Sequence, residues 1–158
     1  MGIILLAAVI LIGGESFNVV AWQRARLVSE LEAAGITQQT HHFGDDHVST
    51  WVGGGTSRPV VLLHGFGASA LWQWKPQAVE LARERRVIMP DLLWFGRSHS
   101  TRADYTVEHQ VEAVVASLDA LNVGEMDLVG ISYGGIVAHE LDVPGRSNDL
   151  VTRIAASL

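Results

Sequence analysis

Residues 129–135 read Val129-Gly130-Ile131-Ser132-Tyr133-Gly134-Gly135, a G-x-S-x-G pattern. An apolar run precedes it (Met126, Leu128, Val129), and a helix-like run follows (Ile136, Val137, Ala138, His139, Glu140, Leu141). The order is strand, sharp turn, helix, with a serine at the turn. Such a turn holds the serine backbone in a strained conformation and lifts its hydroxyl above the sheet. Gly130 and Gly134 suit it because side chains there would collide across the bend. Taken alone, the pattern also fits a glycine-rich turn with an incidental serine, so its meaning depends on the rest of the chain.

Upstream, short apolar runs alternate with helical periodicity. Pro59-Val60-Val61-Leu62-Leu63 is wholly apolar, as in a parallel sheet covered on both faces. It runs into His64-Gly65-Phe66-Gly67-Ala68-Ser69, where Gly65 and Gly67 let the backbone bend and expose its N–H groups. An aromatic segment follows (Leu71, Trp72, Trp74), open to a pocket or a core reading with core preferred, and a helix is expected from near Pro76, carrying Ala78, Val79, Leu81 and Ala82. Arg86–Pro90 is the next strand, with Asp91-Leu92-Leu93-Trp94-Phe95-Gly96-Arg97-Ser98 as the loop after it. Thr106 is an N-cap with Glu108 in the first turn, opening a helix with Val107, Val111, Val114, Val115, Leu118 and Leu121 on one face. Val123-Gly124 ends it. Nearer the start, residues 23–35 read as an amphipathic helix ending at Gly35. Ile36–Phe43 and Val48–Val52 bracket residues 44–47 as a hairpin, and residues 53–59 read as a loop. Strands alternating with helices from residue 59 onward call for an α/β architecture, a mostly parallel sheet with helices on both faces.

The first 14 residues carry no charged side chain, and Ile3–Ile12 is an unbroken apolar run. Three readings are open: a membrane anchor over residues 1–22 flanked by Arg24 and Arg26, a cleaved signal peptide, and a buried first helix. The run is short for a span of about 20 residues, and no basic residue precedes it as a signal peptide requires. The anchor is the preferred reading, with secretion or a periplasmic location after cleavage as its alternative.

At 158 residues and 48% hydrophobic content the chain suits one domain with a buried core. Its formal charge of −6 argues against nucleic acid as a partner. With no cysteine, thiolate metal sites and cysteine nucleophiles are excluded. The seven histidines lack metal-ligand spacing: His139-Glu140 has no second histidine at the H-E-x-x-H position, and His41-His42 is an adjacent pair. No metal and no cofactor is expected.

Three motifs now stand in order, each after its own strand: HGFGAS, DLLWFGRS and GISYGG. Together they resemble the α/β-hydrolase fold family over residues 36–158. The apolar N-terminus followed by a basic helix is similar to that of membrane-anchored monoacylglycerol-lipase and esterase members. The resemblance implies a three-layer sandwich and a serine hydrolase acting on carboxylic esters of small molecules or lipids. It implies Ser132 as nucleophile, forming an acyl-enzyme. The backbone N–H groups of Phe66 and Tyr133 would form the oxyanion hole. His64, Gly65, Gly67, Asp91, Gly130 and Gly134 would support the site, with His64 bracing its loop and Asp91 fixing a turn. Phe66 and Tyr133 would also line an acyl pocket.

The chain departs from the family pattern at two places. The second motif is usually D-x-x-G-x-G-x-S, and Trp94 stands at the first glycine. In addition, the family takes its catalytic partners in the order serine, acid, histidine. After Ser132 the sequence has only His139, seven residues on in the helix behind the elbow, where it would point away. Asp142 and Asp149 read as surface or loop positions, Pro144-Gly145 as a helix break, and Leu150–Leu158 as the sixth strand. The fold is therefore expected to be incomplete after that strand, with an aggregation-prone edge, and this chain to be nearly inactive. A truncated or binding version of the fold is one alternative. A carbon–carbon bond hydrolase or serine haloperoxidase is another. Epoxide hydrolases and haloalkane dehalogenases are disfavoured, because they use aspartate where Ser132 stands.

Overall fold

In the computed structural model, residues 18–141 are described throughout, and residues 11–12, 15–16 and 151–157 as backbone strands. Most of the apolar run, Asp142, Pro144-Gly145 and Asp149 lie outside the described residues. The elements are β1 (Leu11–Ile12), β2 (Glu15–Ser16), α1 (Val19–Ala33), β3 (Ile36–Phe43), β4 (Asp46–Gly54), β5 (Ser57–Leu63), α2 (Ala70–Leu81), β6 (Arg85–Pro90), β7 (His99–Ser100), α3 (Val107–Ala120), β8 (Met126–Ile131), α4 (Tyr133–Leu141) and β9 (Val151–Ser157).

The main sheet runs β3-β4-β6-β5-β8-β9, with β7 added to β4, while β1 and β2 pair with each other. The β3–β4 and β4–β6 pairs are antiparallel, and β6, β5, β8 and β9 are mutually parallel. This is the α/β-hydrolase fold as far as its sixth strand. Alternation along each strand sends side chains to two separate cores. Val61, Leu63 and Ile88 join α3 and α4 through Val111, Val114, Leu118, Val137 and Ala138. Val60, Leu62, Val87 and Met89 join α1 and α2 through Leu31, Leu71, Trp74 and Ala78. The two covered faces explain why the parallel strands are apolar at consecutive positions.

Several boundaries differ from those read in the sequence. The first helix starts at Val19, four residues early, because the Asn18 side chain accepts the Ala21 N–H at 3.0 Å and caps it. Val19–Trp22, expected in the anchor, thus belong to α1. The hairpin turn is the two residues Gly44-Asp45, since Phe43 already pairs with Asp46. The expected loop 53–59 is mostly strand, as β4 runs on to Gly54 and β5 begins at Ser57. Helix α2 begins at Ala70 and carries Pro76 inside it. Its start is fixed by Asp91, a distant residue that accepts the Ala70 N–H at 2.8 Å. Of the aromatic segment expected in the core, Leu71 and Trp74 are buried but Trp72 is 44% exposed. The expected cap at Thr106 is present, its side chain accepting the His109 N–H at 3.2 Å.

Candidate active site

Strand β8 delivers the chain to Ser132, and α4 begins at the next residue. The turn between them is so sharp that Ser132 has φ +52°, the left-handed region costing an L-residue about 1–2 kcal/mol. Its carbonyl already accepts from the Gly135 and Ile136 N–H groups at 2.9 and 3.2 Å, so helix α4 holds the strained residue in place. Two glycines make the turn possible. A Cβ on Gly130 would collide with the Gly134 carbonyl, and one on Gly134 with the Leu63 and His64 carbonyls. The hydroxyl-bearing residue is exposed, while Gly134 behind it is buried.

The loop after β5 lies against this turn. A Cβ on Gly65 would sit 3.4 Å from Ser132 Cβ. The Ala68 N–H donates to the Gly65 carbonyl at 3.3 Å, closing a turn over Phe66 and Gly67. Gly67 has φ +73° with nothing within 4 Å of an added Cβ. Conformation, not space, therefore demands glycine here, as at the third position of a type II turn. Neither the Phe66 nor the Tyr133 backbone N–H has a partner among the described residues. Both belong to residues adjoining the serine turn: Tyr133 follows Ser132 in the chain, and Phe66 follows Gly65, which lies beside the Ser132 side chain.

His64 is fully buried and locks this loop to its neighbour. Its Nδ1 lies 2.8 Å from the Gly65 carbonyl, and its Nε2 accepts the Leu92 N–H at 2.9 Å. A carbonyl can only accept and an amide N–H can only donate, so the ring is neutral with its proton on Nδ1. Burial lowers its pKa, outweighing the Gly65 carbonyl and the Asp91 charge. Asp91 closes the second loop on itself. Its two carboxylate oxygens accept from Ala70 and Arg97 N–H groups at 2.8 and 3.0 Å, and Gly96 packs directly against them. Burial raises its pKa, against the pull of those N–H donors, His64 and Arg24. Ser98 Oγ donates to the Asp91 carbonyl at 2.6 Å and accepts the Ser49 N–H at 2.9 Å.

Three residues of this region carried no signal in the motif reading. Gln73, one turn into α2, accepts the Gly65 N–H through Oε1 at 2.8 Å. Gln110, 1% exposed on α3, bonds both the N–H and the carbonyl of Leu93, at 2.9 and 3.0 Å. It stood among the valines of an apolar helix face, which is the one clue to it in the sequence. Phe95 completes an aromatic wall with the two predicted rings. Its centroid lies 5.1 Å from Phe66 and 6.4 Å from Tyr133, and Phe66 lies 6.1 Å from Tyr133. Phe66 is 77% exposed, so the wall is open to solvent.

No side chain among the described residues is hydrogen-bonded to the Ser132 hydroxyl. His139 is exposed in α4, two turns beyond the serine. His109 is buried elsewhere, between Asp46 and the Asp104 carbonyl. No group of three or more histidine, aspartate or glutamate side chains among the described residues is placed to hold a metal ion.

Residues 58–141 match the family model for the alpha/beta hydrolase fold. The chain is 37% identical over 127 residues to a 2-hydroxymuconate semialdehyde hydrolase of Pseudomonas sp. (strain CF600), an alignment spanning 77% of this chain and 41% of that protein. A membrane phospholipase A, described as a bacterial virulence factor, superposes with TM-score 0.72 at 28% identity, covering 87% of this chain and 46% of that one. A lipase candidate from Acinetobacter baumannii AYE does so with TM-score 0.72 at 26% identity, covering 92% and 49%. The chain thus spans less than half the length of each of these relatives. With the matched model lying over the strands and loops that build this site, the chain belongs to the α/β hydrolase fold family.

Proposed function

We propose that Ser132 is the nucleophile of a serine hydrolase that cleaves carboxylic esters of lipid or small-molecule substrates. The observation that carries the reading is the left-handed serine at φ +52° beside the unpaired N–H groups of Phe66 and Tyr133. Ser132 Oγ attacks the ester carbonyl, its proton passes to a base, and the alcohol leaves to give an acyl-enzyme. Both N–H groups stabilise the oxyanion, and loss of one such donor typically costs about 100–1,000-fold in rate. His64, Gln73 and Asp91 position the loops that hold these donors. The open aromatic wall of Phe66, Phe95 and Tyr133 receives the acyl chain. The likeness to a phospholipase A and a lipase candidate over most of this chain supports lipid esters.

The base and its acid belong, on this reading, to the part of the relatives' length that this chain does not span. Without them only the residual catalysis of oxyanion hole and binding remains. A fluorophosphonate probe tests the assignment. Slow labelling of this chain, abolished in Ser132→Ala, is the expected result. Labelling that persists in Ser132→Ala would remove Ser132 from the reaction, and fast labelling lost in that variant would overturn the near-inactivity.

A second reading keeps the serine and the oxyanion hole but cleaves a carbon–carbon bond. It is favoured by the 37% identity to the semialdehyde hydrolase. Turnover of short-chain p-nitrophenyl esters against turnover of 2-hydroxymuconate semialdehyde separates the two. Membrane association through residues 3–22 is also proposed, from the apolar run and from Val20 and Trp22, 66% and 53% exposed at the start of α1. No helix among the described residues is long and apolar enough to cross a membrane.

A further inference from the structure

A small cavity of about 130 Å³ lies where α1, β3, the start of α2 and the Asp91–Ser98 loop meet. Arg24, Gln38, Trp51, Ser69, Trp72 and Arg97 contribute to its lining. Arg24 makes no salt bridge or direct hydrogen bond among the described residues, and acts at longer range on the Asp91 carboxylate. The Arg97 guanidinium bonds only the neutral Gln38 Oε1, at 3.3 Å. Two guanidinium groups therefore border one small space, with Asp91 as the carboxylate that faces them.

The other groups around it are short of acceptors too. Ser69 is 9% exposed and stands at the N-cap of α2, yet its side chain makes no capping bond. Trp51 is 2% exposed, and its indole N–H has no partner. Asp91 is the one carboxylate at the cavity, but both of its oxygens are engaged by the Ala70 and Arg97 backbone N–H groups. The N-terminus of α2 adds partial positive charge on the same side.

The cavity is well below the roughly 300–1,000 Å³ of a site for a drug-sized ligand. Its size suits a single compact group. Guanidinium forks match the oxygens of phosphate and carboxylate, and two forks with the Trp51 N–H and the Ser69 hydroxyl offer more donors than the four lone pairs of a carboxylate can use. We propose that this cavity binds a phosphate group, held by Arg24 and Arg97, at a site separate from the Ser132 turn. The group is either free phosphate or the headgroup phosphate of a lipid, with the half-exposed Trp72 at the rim.

Titration of the purified chain with inorganic phosphate and with dihexanoyl phosphatidylglycerol below its micellar concentration, followed by tryptophan fluorescence, tests this. Sodium acetate serves as the carboxylate control. Arg24→Gln and Arg97→Gln are each expected to weaken binding by about tenfold or more, the effect of losing a charged hydrogen bond. Arg97→Gln keeps the backbone N–H that holds Asp91, so the loop stays folded; circular dichroism confirms this for both variants. Binding in Ser132→Ala should be unchanged, which separates this site from the hydrolase reading. Tighter binding of the phospholipid identifies the headgroup, and equal or tighter binding of inorganic phosphate identifies the free ion. Absence of binding by either at 10-millimolar-range concentrations (on the order of the weakest useful affinity), equal binding of acetate, or unchanged affinity in both arginine variants would overturn the proposal.

Discussion

The backbone of Gly65 rests against the side chain of Ser132, so that a methyl group added to the glycine would lie 3.4 Å from Ser132 Cβ. That is ordinary van der Waals contact, and Gly65 has no positive φ. Gly65→Ala should therefore fold with stability within about 1 kcal/mol of the parent, the range of tolerated surface and loop changes. It should nevertheless slow fluorophosphonate labelling of Ser132, because the methyl occupies the space beside the hydroxyl. Gly130→Ala is the contrast. There the new Cβ meets the backbone of Gly134, and overpacking of this kind typically costs about 1–3 kcal/mol. Urea melts of the two variants alongside labelling rates check the difference. A Gly65→Ala protein that labels at the parent rate would place the reacting group elsewhere.

The elements nearest Ser132 were legible because their signals are local. Strand β5 announced itself as five apolar residues before a glycine pair, and the elbow by the glycines at either side of the serine. Boundaries set by distant partners were not legible. Helix α2 starts at Ala70 because Asp91, 21 residues away in sequence, takes its first N–H. Gln73 and Gln110 work through hydrogen bonds to loops on other elements; nothing around Gln73 marks it, and Gln110 shows only as a polar residue on an apolar helix face. The Trp94 substitution in the second motif was visible as a departure, but its consequence depends on which rings the fold brings to it.

Gln73 is the outer brace of the loop after β5, since it takes the Gly65 N–H while His64 and Ala68 engage the Gly65 carbonyl. Gln73→Leu leaves that N–H without an acceptor, at a cost of about 1–3 kcal/mol where the group is kept from water. The expected outcome is a larger fractional loss in labelling rate than in folded population at 25 °C. Gln73→Glu, which retains an acceptor, should recover most of the rate. If both variants lose rate only in proportion to unfolding, the side chain has no positioning role.

Two buried histidines give stability opposite dependences on pH. Burial tends to lower the His109 pKa, but the Asp104 carbonyl and the Asp46 carboxylate outweigh it, and the folded value lies above 6.5. Its contribution is full below the unfolded value and lost as pH rises through the folded one. His64 is lowered by burial, so its contribution is present above 6.5 and lost as pH falls through its folded value. Urea melts of His109→Gln should show a deficit against the parent that is largest in acid and shrinks above neutrality. For His64→Gln the deficit should be largest above neutrality and shrink in acid. Parallel curves for the two variants would refute the assigned protonation states.

Trp94 stands where the family pattern has glycine, and it pays the conformational cost that glycine avoids. Its φ is +67°, worth about 1–2 kcal/mol of strain for an L-residue. Its backbone N–H is held by the Ser98 carbonyl at 3.1 Å. The ring packs 4.6 Å from Tyr105 and 5.5 Å from His109, against the small cluster of Val48, Leu93 and Ala113. Burial of about 100 Å² of such a ring contributes roughly 2.5 kcal/mol at the usual coefficient. Aromatic pairing adds about 0.5–1.5 kcal/mol. These terms exceed the strain, and glycine would add unfolded-state entropy of about 0.5–1 kcal/mol against folding. Trp94→Gly is therefore expected to destabilise the protein by about 1–3 kcal/mol, although it restores the family residue. Trp94→Asn separates the two effects, because asparagine tolerates the left-handed region but supplies no ring. It should resemble the glycine variant in urea melts. A Trp94→Gly protein more stable than the parent would mean that backbone strain, not ring packing, dominates at this position.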